Sequence, residues 1–389
     1  MPFHFRGSMA GIYIHIPFCK QACSYCDFYF VTRKNLIEPF TEALVREIEL
    51  FSGTRYASEQ IDTIYIGGGT PSRLPATNLK RIFDALEKSF QLRPVEVTME
   101  MNPDDVTPDY LASLLDLGIN RASMGVQSFD EDLLRFMHRA HTRDEAIRAL
   151  EHLHTAGFPT YTADLIYGNP GQTPEMLEAD IDQLLQFAPP HISAYSLTIE
   201  PKTRLGKQVD LGRISPPDDE HVSLHFDLLT EKLRAAGIER YEVSNYSRPG
   251  KEAVHNSNYW SHKNYLGLGP GAHSFWWDEN GAGRWENKPD IKAYLKDEPA
   301  GSDENAKGET LSLQNLAEER LMLGLRTRRG VGFEELKQRY RYQMNEKQLN
   351  WLDYQREAGM ITESGDVLKL TSKGLKIADL LIVDLLSKG

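Results

Sequence analysis

From Gly11 to about residue 240, short apolar and β-branched runs alternate with longer stretches whose apolar residues recur every three or four positions. That alternation predicts strands over 11–16, 61–66, 95–101, 121–126, 160–167 and 191–199. It predicts helices near 35–52, 77–89, 108–117, 142–156, 174–187 and 218–236. Thr107-Pro108 and Thr173-Pro174 each read as an N-cap followed by proline at the first helical position. Gly118, Gly157 and Gly237 stand where a helix C-terminus favours glycine. Six strands, each followed by a helix, imply a parallel sheet with right-handed crossovers. Six units are too few for a complete eight-stranded barrel. The chain is therefore read as an α/β protein with an open, partial (β/α)6 TIM-like barrel over 11–240, its chemistry at the carboxyl ends of the strands.

The pattern changes after residue 240. Residues 241–295 carry dense aromatics, two histidines and alternating glycines, including His255-Asn256-Ser257-Asn258-Tyr259-Trp260 and Tyr265-Leu266-Gly267-Leu268-Gly269. This segment reads either as a loop packed on the barrel beside a flat ligand, or as a surface loop whose aromatics pack locally. The charged stretch 296–310 reads as a linker or mobile loop. Beyond it, 311–389 predicts helices over 315–325, 333–340 and 346–358, a hairpin over 360–370 and a closing helix over 371–387, a winged-helix-like domain. Fold does not give function, and this domain is read as a docking element or lid.

Composition narrows the class. With 40% hydrophobic and 26% charged residues, the chain is an ordinary globular protein able to bury a core. A net charge of −12 argues against a nucleic-acid partner, whose phosphates demand clustered Lys and Arg. Residues 1–10 lack the apolar core of a signal peptide and are set aside as an N-terminal extension, with Met9 as an alternative start. No run of eighteen apolar residues is present, so the expected location is cytoplasmic.

All three cysteines fall within one short stretch as Cys19, Cys23 and Cys26, directly after the first strand. Three thiolates at C-x3-C-x2-C can wrap an iron–sulfur cubane and leave its fourth iron open to a non-protein ligand. The competing reading is a structural zinc with His15 as fourth ligand, although no second ligand cluster follows. An odd cysteine count in a reducing compartment disfavours a disulfide.

Other unusual residues also fall at strand ends. Gly67-Gly68-Gly69-Thr70-Pro71 follows the second strand, where glycines let backbone approach a ligand or simply make a tight turn. Glu100 and Asn102 end the third strand, Gln127 follows the fourth, and Asp164 lies in the fifth. A carboxylate buried in a strand is costly without a partner. That partner could be an amine or ribose of a cofactor, or a side chain in an ordinary ion pair. His221 and His225 share a helical face but lack a third ligand, and are read as surface residues.

C-x3-C-x2-C resembles the motif of the radical S-adenosylmethionine superfamily, whose open cluster iron is chelated by the amino and carboxylate groups of the methionine moiety. Tyr13-Ile14-His15-Ile16-Pro17-Phe18-Cys19, Gly67-Gly68-Gly69-Thr70-Pro71, Ser123-Met124-Gly125-Val126-Gln127-Ser128-Phe129 and Asp164-Leu165-Ile166-Tyr167-Gly168 are similar to motifs of the oxygen-independent coproporphyrinogen III oxidase group. The resemblance implies a [4Fe-4S] cluster on Cys19, Cys23 and Cys26, with Tyr25 near adenine. It implies an S-adenosylmethionine pocket lined by Tyr13, Gly68, Gly69, Thr70, Glu100, Gln127, Arg139, Asp164 and Thr198. In that pocket the double glycine approaches the methionine moiety. Glu100 or Arg139 pairs with its charged groups, and Asp164 takes a ribose hydroxyl.

Two departures bear on the subfamily. True oxidases carry a further cysteine two residues past the third, where this chain has Phe28, and a longer N-terminal arm than the eighteen residues before Cys19. His255-Asn256-x-x-Tyr259-Trp260 is instead similar to the signature of HemW-type haem chaperones. That resemblance implies haem near His255, Asn256, Tyr259 and Trp260, with His255 as axial ligand and the aromatics stacked on the macrocycle. It further implies delivery of haem to apoproteins such as respiratory enzymes, an electron donor protein, a homodimer and peripheral association with the inner membrane. No catalytic residue is assigned. The alternative is a genuine oxidase, in which radical decarboxylation of propionate side chains gives protoporphyrinogen IX. A third reading, a DNA-binding regulator, has the acidic balance against it.

Overall fold

In the computed structural model, residues 10–278, 281–296 and 307–389 are described. Six parallel strands lie side by side in chain order: β1 (Ala10–Ile16), β2 (Gln60–Gly68), β3 (Gln91–Met101), β4 (Arg121–Gln127), β5 (Thr160–Tyr167) and β6 (His191–Ser196). Helices Ile37–Leu50, Ala76–Ser89, Pro108–Asp116, Arg143–Ala156, Pro174–Leu185 and Asp219–Ala235 alternate with them, as the periodicity predicts. Thr107 Oγ1 accepts from Tyr110 N and Thr173 Oγ1 from Met176 N, each at 3.3 Å, so both Thr-Pro pairs are caps. Strand β6 stops three residues short of the predicted end. Two short helices, Glu131–Phe136 and Arg204–Asp210, were not legible in the pattern.

Alternation along these strands separates two environments. Ile12, Ile14, Ile64, Ile66, Val97, Met99, Met124 and Leu165 are buried in the shared core with the helices, including Leu44, Leu79, Leu150 and Leu229. The opposite face is polar: Thr98, Glu100, Arg121, Ser123, Thr162, Asp164, His191 and Ser193 all line one cavity. A barrel interior so rich in polar groups cannot be filled by apolar packing and needs water or ligand to satisfy it.

The segment after residue 240 is not a loop. Strands β7 (Glu239–Arg240) and β8 (Asn245–Ser247) continue the sheet past β6. A helix, Val254–Trp260, follows, and then β9 (Tyr265–Leu268) pairs parallel to β1. Strands β10 (His273–Trp277), β11 (Ala282–Glu286) and β12 (Lys307–Leu311) extend that edge antiparallel. Residues 1–9 and 297–306 lie outside the described residues, and with them most of the expected extension and linker; 307–311 is strand.

The C-terminal residues form helices Leu313–Leu325, Phe333–Tyr340 and Glu346–Glu357 beside a three-stranded sheet of β13 (Val331–Gly332), β14 (Ile361–Ser364) and β15 (Val367–Leu370). The expected last helix is two, Ser372–Leu375 and Ala378–Leu386. Phe275, Ala282 and Leu311 of the sheet extension share an apolar core with Leu316, Leu321 and Leu352. The C-terminal residues are therefore packed on the extension rather than tethered beside it.

Candidate functional site

The three thiols are carried by the loop leaving β1, and the loop is held from several sides. Cys19 N donates to Val31 O (3.0 Å), Gln21 Nε2 to His138 O (2.9 Å) and Leu205 N to Ser24 O (2.8 Å). Ser24 binds the end of helix Glu131–Phe136 twice, Oγ to Phe136 O and N to Met137 O, each at 3.0 Å. Lys20 Nζ pairs with Asp104 at 2.7 Å. The two short helices missing from the sequence reading thus help to position the cysteine loop, alongside Val31, His138 and Asp104.

Cys19, Cys23 and Cys26 are all free and all line one cavity of about 530 Å³. A Cβ on Gly69 would stand 2.9 Å from Cys19 Sγ and 3.0 Å from the Pro17 carbonyl carbon, so only glycine lets the β2 turn lie against the first sulfur. Thr70 Oγ1 donates to Cys19 Sγ (3.6 Å) and Arg139 Nη1 to Cys23 Sγ (3.5 Å). Burial pushes the Cys19 and Cys26 thiols up to about 11. Metal binding there has to displace those protons.

The donor set fits a cubane better than a lone zinc. Sulfurs serving different irons need not meet at one point, and among the described residues no three His, Cys, Asp or Glu side chains converge on a single-ion position. His15 cannot complete a tetrahedral set in this arrangement. Its Nδ1 is hydrogen-bonded to the Tyr13 hydroxyl (3.1 Å) and its Nε2 to Tyr29 O (2.9 Å).

Beside the sulfurs lie two half-buried carboxylates that make no salt bridge among the described residues. Glu100 Oε1 accepts from the Tyr65 hydroxyl (2.7 Å) and Oε2 from Gly68 N (3.1 Å), while burial pushes the acid up to about 7. Asp164 accepts from Ser123 Oγ (3.3 Å), and burial pushes it up to about 6. Arg121 and Arg139 favour the ionised form of Asp164 from a distance, and a cation placed directly against either carboxylate would favour its ionised form further. Arg139 crosses the same wall, with Nη2 on Gly125 O (2.9 Å) and on Asn102 Oδ1, and Nη1 near the Tyr25 hydroxyl (3.3 Å); its buried Nε has no partner. Gln127 adopts a left-handed backbone (φ 66°), a conformation costly for a non-glycine residue and concentrated at functional sites.

Of the residues expected around a nucleotide cofactor, Tyr25, Gly68, Gly69, Thr70, Glu100, Gln127, Arg139, Asp164 and Thr198 line the cavity. Tyr13 does not line it. Its ring lies behind Tyr65, with centroids 6.1 Å apart. Thr198 lines the wall from beyond the end of β6, where it is exposed.

The haem expectation fares differently. His255 is 1% exposed, with Nδ1 hydrogen-bonded to Thr63 Oγ1 and Nε2 to the Tyr259 hydroxyl, each at 2.8 Å. In this conformation both imidazole nitrogens are engaged within the protein, and ligation of iron by His255 would require one of these bonds to open. Tyr259 packs edge-on against His255 (4.9 Å), and Trp260 lines a separate small crevice with Arg320 and Arg328. Among the four motif residues Asn256 lines the main cavity. His225, read as a surface residue, is fully buried, and His221 lies against it with ring centroids 4.1 Å apart.

The sequence reading also missed cavity residues that alternation could have supplied. Arg121 and Ser123 precede Gly125 and Gln127 at period two on β4, and Ser193 and Tyr195 follow His191 at the same period on β6. Arg121 Nη2 donates to Thr162 Oγ1 (2.6 Å), whereas Thr98 Oγ1 and His191 Nδ1 have no partner.

Residues 13–184 match the Radical SAM superfamily, and residues 311–377 match the HemN C-terminal domain. The chain is 36% identical over 332 residues to the protein named heme chaperone HemW of Lactococcus lactis, covering 85% of this chain and 84% of that one. It is 33% identical over 372 residues to heme chaperone HemW of Bacillus subtilis, covering 94% and 96%. With heme chaperone HemW of Escherichia coli it shares 37% over 267 residues, 68% of this chain and 69% of that one. Among solved structures, the E. coli coproporphyrinogen III oxidase HemN superposes with a TM-score of 0.82 over 98% of this chain and 91% of that one. At 22% identity that likeness is one of fold.

Proposed function

The chain belongs to the HemW family of the radical S-adenosylmethionine superfamily, and from that premise we propose that it is a haem chaperone. On this reading it holds a [4Fe-4S] cluster on Cys19, Cys23 and Cys26, S-adenosylmethionine in the adjoining cavity, and haem for delivery to an apo-haemoprotein such as a respiratory enzyme. The observation that supports it most is one cavity joining three free thiols to two half-buried carboxylates that make no salt bridge among the described residues, in a chain whose HemW-named relatives match it over most of both lengths.

Each residue has a stated part. The three thiolates take three irons and leave the fourth without a protein ligand. Glu100, fixed by Tyr65 and Gly68, receives the ammonium of the methionine moiety, and Arg139 faces its carboxylate. Asp164 takes a ribose hydroxyl, and Tyr25 borders the adenine. Held by Cys19, Cys23 and Cys26, a bound cluster would supply, once reduced by a donor protein, the electron for reductive cleavage of the sulfonium. An electron donor protein is therefore a partner on this reading, with a homodimer and peripheral membrane association carried over from relatives. No described helix is long and apolar enough to cross a membrane; a cytoplasmic location is part of this reading.

The test is anaerobic reconstitution followed by haem titration and a coproporphyrinogen III assay on one preparation. Saturable haem binding without protoporphyrinogen formation is the expected result. Protoporphyrinogen formed under reducing conditions would replace the chaperone with an oxidase.

A further inference from the structure

The helix Val254–Trp260 lies against the barrel interior at the level of the strand residues Thr63 and Glu96, and it is tied to two of the strands that build the cavity. Glu96, near the middle of β3, accepts from Val254 N (2.9 Å) and His255 N (2.8 Å), and so caps the helix on the same strand face that carries Thr98 and Glu100. Arg121 Nη1 stands 3.9 Å from the same Glu96 carboxylate. His255 then bonds Thr63 on β2, and its ring stacks on Tyr65 two residues further along (5.2 Å, interplanar 30°). Tyr65 also stacks with Tyr13 (6.1 Å between centroids), and its hydroxyl donates to Glu100 Oε1.

The packing along this path leaves no slack. A Cβ on Gly11 would stand 2.9 Å from Thr63 Oγ1 and 3.0 Å from His255 Cε1. One on Gly67 would stand 2.8 Å from the Tyr65 ring and 3.0 Å from Glu100 Oε1. Interiors this close-packed transmit a displaced side chain to its neighbours instead of absorbing it.

We infer that His255 and Tyr65 are positioning residues for Glu100, so that the histidine of the HNxxYW sequence acts on the cofactor cavity through a stacked tyrosine. The inference rests on the reading that Glu100 meets the ammonium of S-adenosylmethionine. Tyr65 is the last link: it fixes the rotation of the carboxylate and stabilises its charged form. The groups facing Glu100 are Tyr65 and Gly68 N from β2, Tyr13 from β1, Asp164 from β5, Tyr195 from β6, Tyr259 from the helix Val254–Trp260 and Cys19 from the loop. Among the described residues, Tyr65 and Gly68 donate to it.

The experiment is equilibrium binding of S-adenosylmethionine to anaerobically reconstituted protein across pH, with iron and sulfide content measured on every sample. Tyr65→Phe is expected to weaken binding about tenfold and to move its pH midpoint upward, because the carboxylate loses a donor that favours ionisation. His255→Ala is expected to move both quantities in the same direction by less, and His255→Gln, which keeps polar atoms near Thr63 and Tyr259, to recover part of the loss. Wild-type affinity and midpoint in both Tyr65→Phe and His255→Ala would overturn the inference. So would a His255→Ala protein that loses haem binding while its S-adenosylmethionine binding is untouched, which would return the residue to iron ligation. Glu100→Gln separates the two levels. If it binds as wild type does, the reading of Glu100 itself fails; if it binds weakly while Tyr65→Phe does not, only the positioning path fails.

Discussion

Two regions of this barrel are built from the same kinds of residue and do opposite things with them. Around the sulfurs, polar atoms are left partly unsatisfied: among the described residues Glu100 and Asp164 make no salt bridge, with only the longer-range charges of Arg121 and Arg139 near Asp164, and Arg139 Nε has no hydrogen-bond partner. Around helix Val254–Trp260, polar atoms are consumed by the protein: both nitrogens of His255 are bonded, and Glu96 caps the helix. Histidine, tyrosine and asparagine in a dense motif suggest a ligand in either place. What separates a binding surface from a structural joint is whether the polar atoms are already partnered, and that is a property of the fold.

The largest effect that would sharpen this contrast is loss of the sulfur ligands. Cys23→Ala should abolish cluster assembly, with iron and inorganic sulfide falling to background, while the fold measured by circular dichroism stays intact because all three thiols sit in a loop. Next comes Gly69→Ala, whose new Cβ must displace either Cys19 Sγ or the Pro17 backbone. Cluster occupancy should drop severalfold, and a wild-type value would mean the β2 turn is free to move.

A smaller effect is expected from pH. His255 is held neutral by burial, its pKa lowered to about 3, and His141 is lowered to about 4 by burial and the nearby Arg139. Groups depressed in the folded state contribute stability that is present above the unfolded value and lost as pH falls toward the folded one. The apoprotein should therefore lose stability from pH 6.5 downward, at most about 1.4 kcal/mol per unit of separation for each histidine. Replacing His255 by Asn should flatten that decline in a chemical denaturation series; an unchanged slope would mean that His255 is not held neutral. The smallest effect is Tyr259→Phe, which frees His255 Nε2 and should cost about 1 kcal/mol with no change at the sulfurs.

The sequence carried the cavity end of the barrel well, because a strand ends where its β-branched run stops and the unusual residues fall right there. Glu100, Asp164 and the glycine turn reach the cavity for that reason. Strand β6 was read too long because apolar Leu197 and Ile199 continue the run, although the sheet pairing stops at Ser196. The other end was read as a loop. Val-His-Asn-Ser-Asn-Tyr-Trp has little helix propensity, and its helix forms because Glu96, 158 residues earlier, binds its first amides. Gly267 looked like a loop glycine, yet a Cβ there would stand 2.1 Å from His273 O, so it marks a tight β9–β10 return. Such tertiary contacts have no local signature. Neither carboxylate makes a salt bridge among the described residues, but Arg121 and Arg139 lie near enough to favour the ionised form of Asp164, so the ion-pair reading is weakened for Glu100 more than for Asp164.

The most direct test of the central claim is iron, zinc and inorganic sulfide analysis of protein reconstituted without air, followed by the electron paramagnetic resonance spectrum of the reduced sample with and without S-adenosylmethionine. The account predicts about four irons and four sulfides per chain and a spectrum that changes when the nucleotide is added. Zinc in place of iron, absence of sulfide, or a cluster spectrum indifferent to S-adenosylmethionine would contradict it.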